Sequence, residues 1–236
     1  MNIITVKNYD MMSDLAALLI AARVLEKPNS ILGFATGSTP NGTYQNLIKM
    51  YNNGLVDFSQ VKTFNLDEYC GLPQEHEQSY NYYMNENLFK HINIKAENIK
   101  IPNGMADDFD TESMEYETAI KNAGGVDLQL LGVGLNGHIG FNEPDNIFHN
   151  ITREVELTQS TIDANSRFFQ DKSEVPKTAI SMGIGTIMSA KEIVLLAGED
   201  KNEVVQKLQD NVVSPEFPVS ILHYHPKCTI ITVNKN

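Results

Sequence analysis

The feature that most constrains the fold is the alternation of short apolar runs with helical patterns along the 236 residues. Residues 126–133 form a nearly continuous apolar run, which is typical of a central strand in a parallel sheet. Other short apolar runs are separated by segments whose apolar residues recur at helical spacing. This alternation predicts an α/β fold with a doubly wound, mostly parallel central sheet.

The same patterns give approximate bounds. The predicted strands cover residues 3–6, 30–35, 61–66, 126–133, 153–157, 179–182, 192–197 and 228–233. The predicted helices cover residues 11–26, 80–88, 115–122, 162–168, 184–190 and 201–208, together with one that starts near Asn41. We expect Asp200 to cap the last helix. No repeat, low-complexity tract or linker interrupts the pattern, which favours one domain over residues 1–236.

Ligands of such sheets bind in a crevice beyond the carboxyl ends of the strands. The segments that follow Ala35, Leu66, Val133 and Ala197 are therefore expected to lie near one another. These segments contain most of the polar side chains that suggest chemistry.

Composition argues against several classes of protein. The formal net charge is −12 with no cluster of lysine and arginine, so we expect no binding to nucleic acid or to an anionic membrane. The two cysteines, Cys70 and Cys228, lie far apart, which disfavours a disulfide framework and a cysteine zinc site. The N-terminal residues lack the basic and apolar regions of a signal peptide. Together these features predict a cytoplasmic protein.

The segment Gly132-Val133-Gly134-Leu135-Asn136-Gly137 matches the GxGxxG pattern of dinucleotide-binding folds. That fingerprint requires a helix that opens at its last glycine. Here the chain continues through His138, and Gly140 and Pro144 follow too closely for a long helix. We therefore predict a tight turn that lets the backbone approach a small ligand.

His138 lies in this turn, with Asn136 and Glu143 close to it in sequence. Histidine titrates near neutral pH, and a neighbouring carboxylate orients the ring and stabilises its charged form. The set suits general acid–base catalysis on a sugar ring oxygen. The alternative is a structural or surface histidine, but three polar side chains at the end of one strand favour catalysis.

Asp67 and Glu68 follow another predicted strand. A carboxylate withdrawn from water can abstract a proton from a carbon next to a carbonyl or imine. Acids in such positions are also common as helix caps or in solvated turns. Because this loop is expected to face the His138 turn, we predict that Asp67 belongs to the same site.

Thr36, Gly37, Ser38 and Thr39, called the 36–39 loop below, join a predicted strand to a helix. Their N–H groups and hydroxyls suit a phosphate at a helix N-terminus, although a simple capped turn fits equally well. Arg167 suits two-pronged binding of phosphate, and Lys201 begins a helix, where an anion is favoured. Each cation equally fits a solvated surface position.

His223 and His225 lack a third ligand at suitable spacing, which favours a structural role over a metal site.

Two strings of residues together resemble the signatures of the glucosamine-6-phosphate deaminase family. They are Thr63-Phe64-Asn65-Leu66-Asp67-Glu68-Tyr69 and Gly132-Val133-Gly134-Leu135-Asn136-Gly137-His138-Ile139-Gly140-Phe141-Asn142-Glu143-Pro144. The similarity continues through Ala35-Thr36-Gly37-Ser38-Thr39-Pro40, Ala164-Asn165-Ser166-Arg167-Phe168-Phe169, Ala179-Ile180-Ser181-Met182-Gly183 and Leu222-His223-Tyr224-His225-Pro226. It covers nearly the whole chain in order.

The resemblance implies a single Rossmann-like domain that converts glucosamine 6-phosphate and water to fructose 6-phosphate and ammonia, with no metal or organic cofactor. Position by position, it implies that His138 opens the pyranose ring, supported by Asn136 and Glu143. It implies that Asp67 takes the proton from C2 of the opened sugar and returns one to C1. Arg167, Lys201 and the 36–39 loop would hold the substrate, mainly through its phosphate. It leaves open a monomer or a homo-oligomer.

The chain departs from the family pattern at two points. Some members carry aspartate where this chain has Asn136, and an amide can orient His138 but cannot share negative charge with it. Allosteric members bind N-acetylglucosamine 6-phosphate through basic residues after the catalytic loop and a longer C-terminus. Here Arg153 is present but Val155 replaces a basic residue, so we hypothesise that this activation is absent.

Two other functions compete with this reading. A 6-phosphogluconolactonase has a similar fold and loop and would hydrolyse a lactone without a carbon base. A sugar-phosphate-sensing domain would tolerate loss of the catalytic acids and would be joined to a DNA-binding segment. The complete acid–base set and the negative charge favour the deaminase.

Overall fold

The computed structural model describes residues 1–166, 169 and 171–234, with the backbone alone for residues 160, 164, 165 and 172. Its strands are β1 (Asn2–Val6), β2 (Ile31–Phe34), β3 (Lys62–Asn65), β4 (Asp67–Tyr69), β5 (Ile99–Lys100), β6 (Leu128–Gly132), β7 (Arg153–Glu156), β8 (Thr178–Ser181), β9 (Ile193–Ala197) and β10 (Cys228–Val233). Its α-helices are α1 (Tyr9–Glu26), α2 (Asn41–Asn52), α3 (Tyr80–Asn87), α4 (Phe109–Ala123), α5 (Gln159–Asn165), α6 (Ile184–Met188) and α7 (Asn202–Leu208).

Seven strands form the central sheet, in the order β1-β10-β9-β6-β2-β3-β5. Every pairing in this sheet is parallel. The predicted α/β fold with a doubly wound parallel sheet is therefore confirmed. The remaining strands form a separate antiparallel sheet in the order β4-β8-β7.

Helices cover both faces of the central sheet, and a core fills the space on each side. Leu130 and Leu131 of β6 illustrate the arrangement, because successive side chains of a strand point to opposite faces. Leu130 packs in the core that contains Ile20 of α1, and Leu131 packs in the core that contains Tyr116 of α4. This double burial explains why the sequence around β6 is apolar at nearly every position.

Local capping sets where several helices begin and end. The side chain of Asn8 accepts a hydrogen bond from the Met11 N–H at the start of α1. Asp108 caps α4 in the same way, so that helix begins six residues before the predicted residue 115. Gly124, with a φ of 103°, ends it in the left-handed conformation that glycine tolerates.

Several predicted details are wrong. The segments over residues 153–157 and 179–182 do form strands, β7 and β8, but these strands pair antiparallel in the small sheet, outside the parallel one. Asp200 does not cap α7; that helix begins at Asn202 with no side-chain cap. The helix predicted over residues 162–168 is described only as α5, because residues 167 and 168 lie outside the described part of the chain. No helix in the described residues has both the length and the apolar character needed to cross a bilayer.

Candidate active site

The loops that follow β9, β6, β2 and β3 leave the same edge of the sheet, because these four strands are consecutive neighbours and parallel. This confirms the predicted convergence of the segments after Ala35, Leu66, Val133 and Ala197. Leu66 joins the two sheets: its N–H donates to the Phe34 carbonyl (3.1 Å), and its carbonyl accepts from the Met182 N–H (2.7 Å). The residue after Leu66 is the predicted base.

Asp67 begins β4 and stands opposite Ser181 of β8. Only 6% of its surface is exposed. Burial, with a smaller contribution from the negative charge of Glu68, raises the pKa of the Asp67 carboxyl to about 8. A carboxyl with such a pKa is a far stronger base, once ionised, than an exposed aspartate. The sequence could predict the acid but not this degree of burial.

Glu68 points to the other face of β4, since successive strand residues alternate. Its carboxylate accepts hydrogen bonds from the N–H groups of Tyr69 (2.9 Å), Tyr80 (2.8 Å) and Asn81 (2.8 Å). Burial raises the pKa of Glu68 to about 7, and these three bonds oppose the rise. Glu68 therefore holds the first turn of α3 against β4, directly behind the Asp67 carboxyl.

Asn136, His138 and Glu143 are brought together by a turn in residues 132–144, called the 132–144 loop below. Asn136 Nδ2 donates to Glu143 Oε2 (2.6 Å), and Asn136 Oδ1 accepts from the His138 backbone N–H (3.2 Å). His138 Nδ1 lies 3.4 Å from Glu143 Oε1, an ion-pair distance that is long for a hydrogen bond. The loop contains no helix, which supports a turn in place of a dinucleotide fingerprint.

Glu143 is ionised by its surroundings. Burial alone would raise its pKa, but the contacts with His138, Thr161 and Asn136 outweigh burial and lower the pKa to about 2. The Thr161 hydroxyl of α5 donates to Glu143 Oε1 at 2.7 Å. The negative charge of Glu143 therefore lies 3.4 Å from His138 Nδ1, where it orients the ring.

Gly134 makes room for the His138 ring. A Cβ atom at this position would lie 2.2 Å from His138 Cε1 and 2.4 Å from Nδ1. The imidazole therefore packs directly over the glycine backbone, which any side chain would displace. Gly134 thus accommodates a side chain of the same loop, and the predicted approach of this backbone to a small ligand stays a prediction.

The 132–144 loop also contacts the Asp67 side of the site. A Cβ atom at Gly140 would lie 3.6 Å from Asp67 Oδ2 and 3.1 Å from the Ser181 hydroxyl oxygen. The same hydroxyl accepts a hydrogen bond from the Phe141 N–H (3.0 Å). The 132–144 loop therefore carries His138 and contacts the Asp67 carboxyl at Gly140, two residues after His138. The two residues were predicted from separate segments of the sequence.

Asn142 and Arg153 anchor this loop and were not among the predicted site residues. The Asn142 amide is buried and donates to the carbonyls of Ile139 (3.0 Å) and Met182 (2.8 Å). Its Oδ1 accepts from Arg153 Nη1 (3.0 Å). Asn142 lies inside the recognised string of residues, but sequence spacing does not indicate that its partner is on β7. Ser181 and Thr161 also gave no signal of their own.

The 36–39 loop and the segment around Lys201 face each other across a crevice of about 840 Å³. The residues that line it are Tyr9, Ser38, Thr39, Asn41, Gly198, Glu199, Asp200, Asn202 and Glu203. Lys201 Nζ lies 2.6 Å from Asp200 Oδ2, and only 17% of the Lys201 side chain is exposed. Arg167, the other predicted phosphate ligand, lies outside the described residues.

The described residues contain no group of three or more histidine, cysteine, aspartate or glutamate side chains that could hold a metal ion. His223 and His225 instead make hydrogen bonds to the backbone carbonyls of Leu208 (2.8 Å) and Ala190 (2.7 Å). These two histidines therefore have the structural role that their sequence spacing favours.

Comparison with known proteins places this geometry among sugar-phosphate enzymes. Residues 9–231 match the family described as glucosamine-6-phosphate isomerases/6-phosphogluconolactonase. The chain is 56% identical over 236 residues to the glucosamine-6-phosphate deaminase of Clostridioides difficile, covering 100% of this chain and 94% of that protein. It is 53% identical to the enzyme of the same name from Thermoanaerobacter pseudethanolicus, covering 98% of this chain and 92% of that protein.

Solved structures agree with the sequence matches. The structure of a monomeric glucosamine-6-phosphate deaminase superposes with a TM-score of 0.97 at 43% identity, over 100% of this chain and 98% of that one. The 6-phosphogluconolactonase of Trypanosoma cruzi superposes with a TM-score of 0.80 at 16% identity, over 99% and 94% of the two chains. At that identity, the second likeness concerns the fold alone.

Proposed function

This chain belongs to the family of glucosamine-6-phosphate isomerases and 6-phosphogluconolactonases, and we propose that it performs the deaminase reaction through Asp67 and His138. It is an enzyme that converts glucosamine 6-phosphate and water to fructose 6-phosphate and ammonia, as its 56% and 53% identical relatives are named for doing. The observation that carries the assignment of roles is the buried Asp67 carboxyl against the loop that holds His138.

The first step is opening of the pyranose ring. His138 Nδ1 faces Glu143, so the proton that moves to the ring oxygen comes from Nε2. The ionised Glu143 stabilises the protonated imidazole before the proton is transferred. Asn136 fixes the position of Glu143 relative to the His138 backbone through its two hydrogen bonds. The C1 hydroxyl passes its proton to the His138 imidazole as the ring bond breaks, which gives an open-chain aldehyde and restores the imidazolium.

The second step is proton transfer between carbons. Ionised Asp67 takes the proton from C2, which is acidified by the neighbouring carbonyl, while the His138 imidazolium gives a proton to the C1 oxygen, and a cis-enolamine forms. The protonated Asp67 then returns a proton to C1, and the product is a ketose imine. Water adds to the imine carbon and ammonia leaves, so the atoms of substrate and water are all accounted for.

Phosphate binding by the 36–39 loop, Lys201 and Arg167 completes the proposal. The crevice supports the assignment of the 36–39 loop, because Ser38 and Thr39 line it; the neighbours of Lys201 form its opposite wall, although Lys201 itself does not line it. We also infer a single domain in the cytoplasm, acting as a monomer or homo-oligomer without a metal or organic cofactor. Static light scattering measures the oligomeric state.

The decisive assay is release of ammonia from glucosamine 6-phosphate without added metal, run beside hydrolysis of 6-phosphogluconolactone.

Asp67→Asn should slow exchange of the C2 proton with deuterated water by roughly 1,000-fold or more, because a general base is lost. Binding of the sugar phosphate should persist. Exposed Asp107 supplies the control, Asp107→Asn. Exchange at the wild-type rate in Asp67→Asn would remove Asp67 as the base, and lactone hydrolysis without ammonia release would replace the function.

A further inference from the structure

Three tyrosine hydroxyls, one from each of three helices, hold the backbone around the 36–39 loop. Tyr44 of α2 donates to the Ala35 carbonyl. Tyr83 of α3 donates to the Gly37 carbonyl (2.6 Å) and also contacts the side chain of Asn41. Tyr9 of α1 lies 3.1 Å and 3.0 Å from the carbonyls of Ser38 and Thr39. The three helices thus contact four of the five carbonyls from Ala35 to Thr39.

The direction of these bonds fixes the direction of the N–H groups. In a trans peptide, the carbonyl of one residue and the N–H of the next point to opposite sides. The tyrosines occupy the carbonyl side, so the N–H groups of Thr36, Ser38 and Thr39 point away from the hydroxyls. Helix α2 begins immediately afterwards with no side-chain cap, and of its first-turn donors the Gly42 N–H is taken by the Tyr9 hydroxyl.

Tyr9 and Ser13 of α1 pack tightly against the first turn of α2. The Tyr9 hydroxyl accepts a hydrogen bond from the Gly42 N–H (2.8 Å) in the first turn of α2. A Cβ atom at Gly42 would lie 2.9 Å from Tyr9 Cε1 and 2.3 Å from the Ser13 hydroxyl oxygen. Helix α1 can therefore approach the loop only because position 42 is a glycine.

The negative charge that lines the crevice increases the need for N–H donors that attract an anion. The opposite wall of the crevice carries Glu199, Asp200 and Glu203, and Lys201 is already paired with Asp200. An anion that enters the crevice is repelled by these carboxylates, so attraction from the N–H groups of the 36–39 loop must add to that of the cations for it to bind. Keeping those N–H groups in a fixed orientation lowers the ordering cost of binding.

We propose that Tyr9, Tyr44 and Tyr83 are positioning residues that preorganise the 36–39 loop for the phosphate of the substrate. The inference rests on the proposed function, because it assigns this loop to the sugar phosphate. None of the three tyrosines touches the reacting carbon atoms, so they act on binding through the loop. Burial raises the pKa of Tyr83 above its usual value, which keeps the hydroxyl protonated as a donor.

The test uses Tyr9→Phe, Tyr83→Phe and the double variant, which remove hydroxyls and keep the rings. Each single change should raise the KM for glucosamine 6-phosphate and the inhibition constant of inorganic phosphate together, by roughly fivefold, the worth of one hydrogen bond. The kcat should stay within about twofold, because uniform binding is lost and the chemistry is not. Tyr82→Phe is the matched control, since within the described structure its hydroxyl donates to none of the loop carbonyls.

Unchanged inhibition by phosphate in the double variant would overturn the proposal, as would a fall in kcat at constant KM. A lower melting temperature with unchanged phosphate affinity would show a purely structural role and would also overturn it. If the wild-type protein released no ammonia, the proposed function would fail separately. Calorimetric titration of wild type and double variant with inorganic phosphate would then decide the matter: weaker binding in the variant supports the role of the tyrosines, and equal binding refutes it.

Discussion

Asp67 and Glu68 are neighbours in sequence, yet their surroundings give their carboxyls different roles. Glu68 receives three backbone N–H bonds, which stabilise its charged form. Asp67 receives no such set among its described contacts, and the charge of Glu68 raises its pKa further. The two neighbouring acids therefore have different roles: Glu68 holds the first turn of α3 against β4, and Asp67 is a base that becomes ionised as the pH rises through about 8.

The activity should report this difference as a pH dependence. With the pKa of Asp67 near 8, the free enzyme holds a proton on the base at pH 6 and loses it as the pH rises, so kcat/KM should increase through about pH 8. Glu68→Gln removes a charge that raises this pKa, so the midpoint should move to lower pH. Rate profiles of both proteins between pH 5 and pH 10 measure the shift. A midpoint that stays in place in Glu68→Gln would contradict the electrostatic account.

At the scale of elements, the 132–144 loop is the part that brings the two catalytic groups together. Asn136, His138 and Glu143 form one set of bonds within it, and Gly140 and Asn142 join it to β4, β8 and β7. The loop contains no regular secondary structure, so its shape depends on side-chain bonds and on glycine. Loss of any of these contacts should act on catalysis more than on stability.

Gly134→Ala tests the contact between the loop backbone and the catalytic ring. The new methyl group would lie 2.2 Å from His138 Cε1, so the imidazole must move and kcat should fall by roughly 100-fold, the scale of one misplaced catalytic group. Gly132→Ala is a matched control, because nothing lies within 4 Å of its added Cβ atom. Steady-state kinetics of both variants separate the two positions. Equal losses in the two variants would show that steric pressure on His138 is not the cause.

Arg153→Met tests the anchor of the loop on β7. The change removes the donor to Asn142 Oδ1 and leaves a buried acceptor without its partner, so kcat should fall about tenfold while KM changes little. Lys177→Met removes an exposed cation close to the same small sheet and should leave both constants unchanged. The kcat and KM of the two variants provide the comparison. A rise in KM alone would instead place Arg153 in substrate binding.

The sequence predicted the parallel sheet and the acids at its edge because both depend on local pattern. Leu128 to Leu131 are apolar at most positions, and Asp67 and His138 follow strands, so periodicity and position were sufficient. Periodicity could not predict that β7 and β8 leave the main sheet, since short strands look alike in either pairing. It also could not predict the Arg153 contact or the tyrosine bonds, which depend on side chains far apart in the chain.

For the molecule as a whole, the candidate active site lies at the carboxyl ends of the parallel strands, and a buried ion-pair cluster lies at their amino ends. Asp127 lies just before β6, at the amino ends of the strands, and only 3% of it is exposed. Its carboxylate accepts from Lys27 (2.6 Å), Lys191 (2.7 Å) and the Ile31 N–H (2.8 Å). Burial raises its pKa, but these bonds outweigh burial and lower it below 3.8.

Asp127→Asn should therefore destabilise the fold without altering the site. A depressed pKa contributes stability that is present above the unfolded value near 3.8 and is lost as the pH falls through the folded value. At pH 7 the melting temperature should drop by roughly 5–10 °C, because two lysines lose a buried partner. Below pH 3 the gap from wild type should narrow. Calorimetry measures the melting temperature of the variant, and KM is measured in parallel. A rise in KM at an unchanged melting temperature would contradict the prediction that Asp127 serves stability and not the site.

The edge position of β1 links folding to synthesis. Its only sheet neighbour among the described strands is β10, and the pairing joins Asn2 to Thr229 and Val6 to Val233. During synthesis, β1 can pair only after β10 has been made, so the apolar side chains of β1 stay without their sheet partner until residue 233 has emerged from the ribosome. Until that pairing forms, β1 is an unpaired strand that is open to aggregation and to chaperones. Pairing of β1 with β10 ends this exposure.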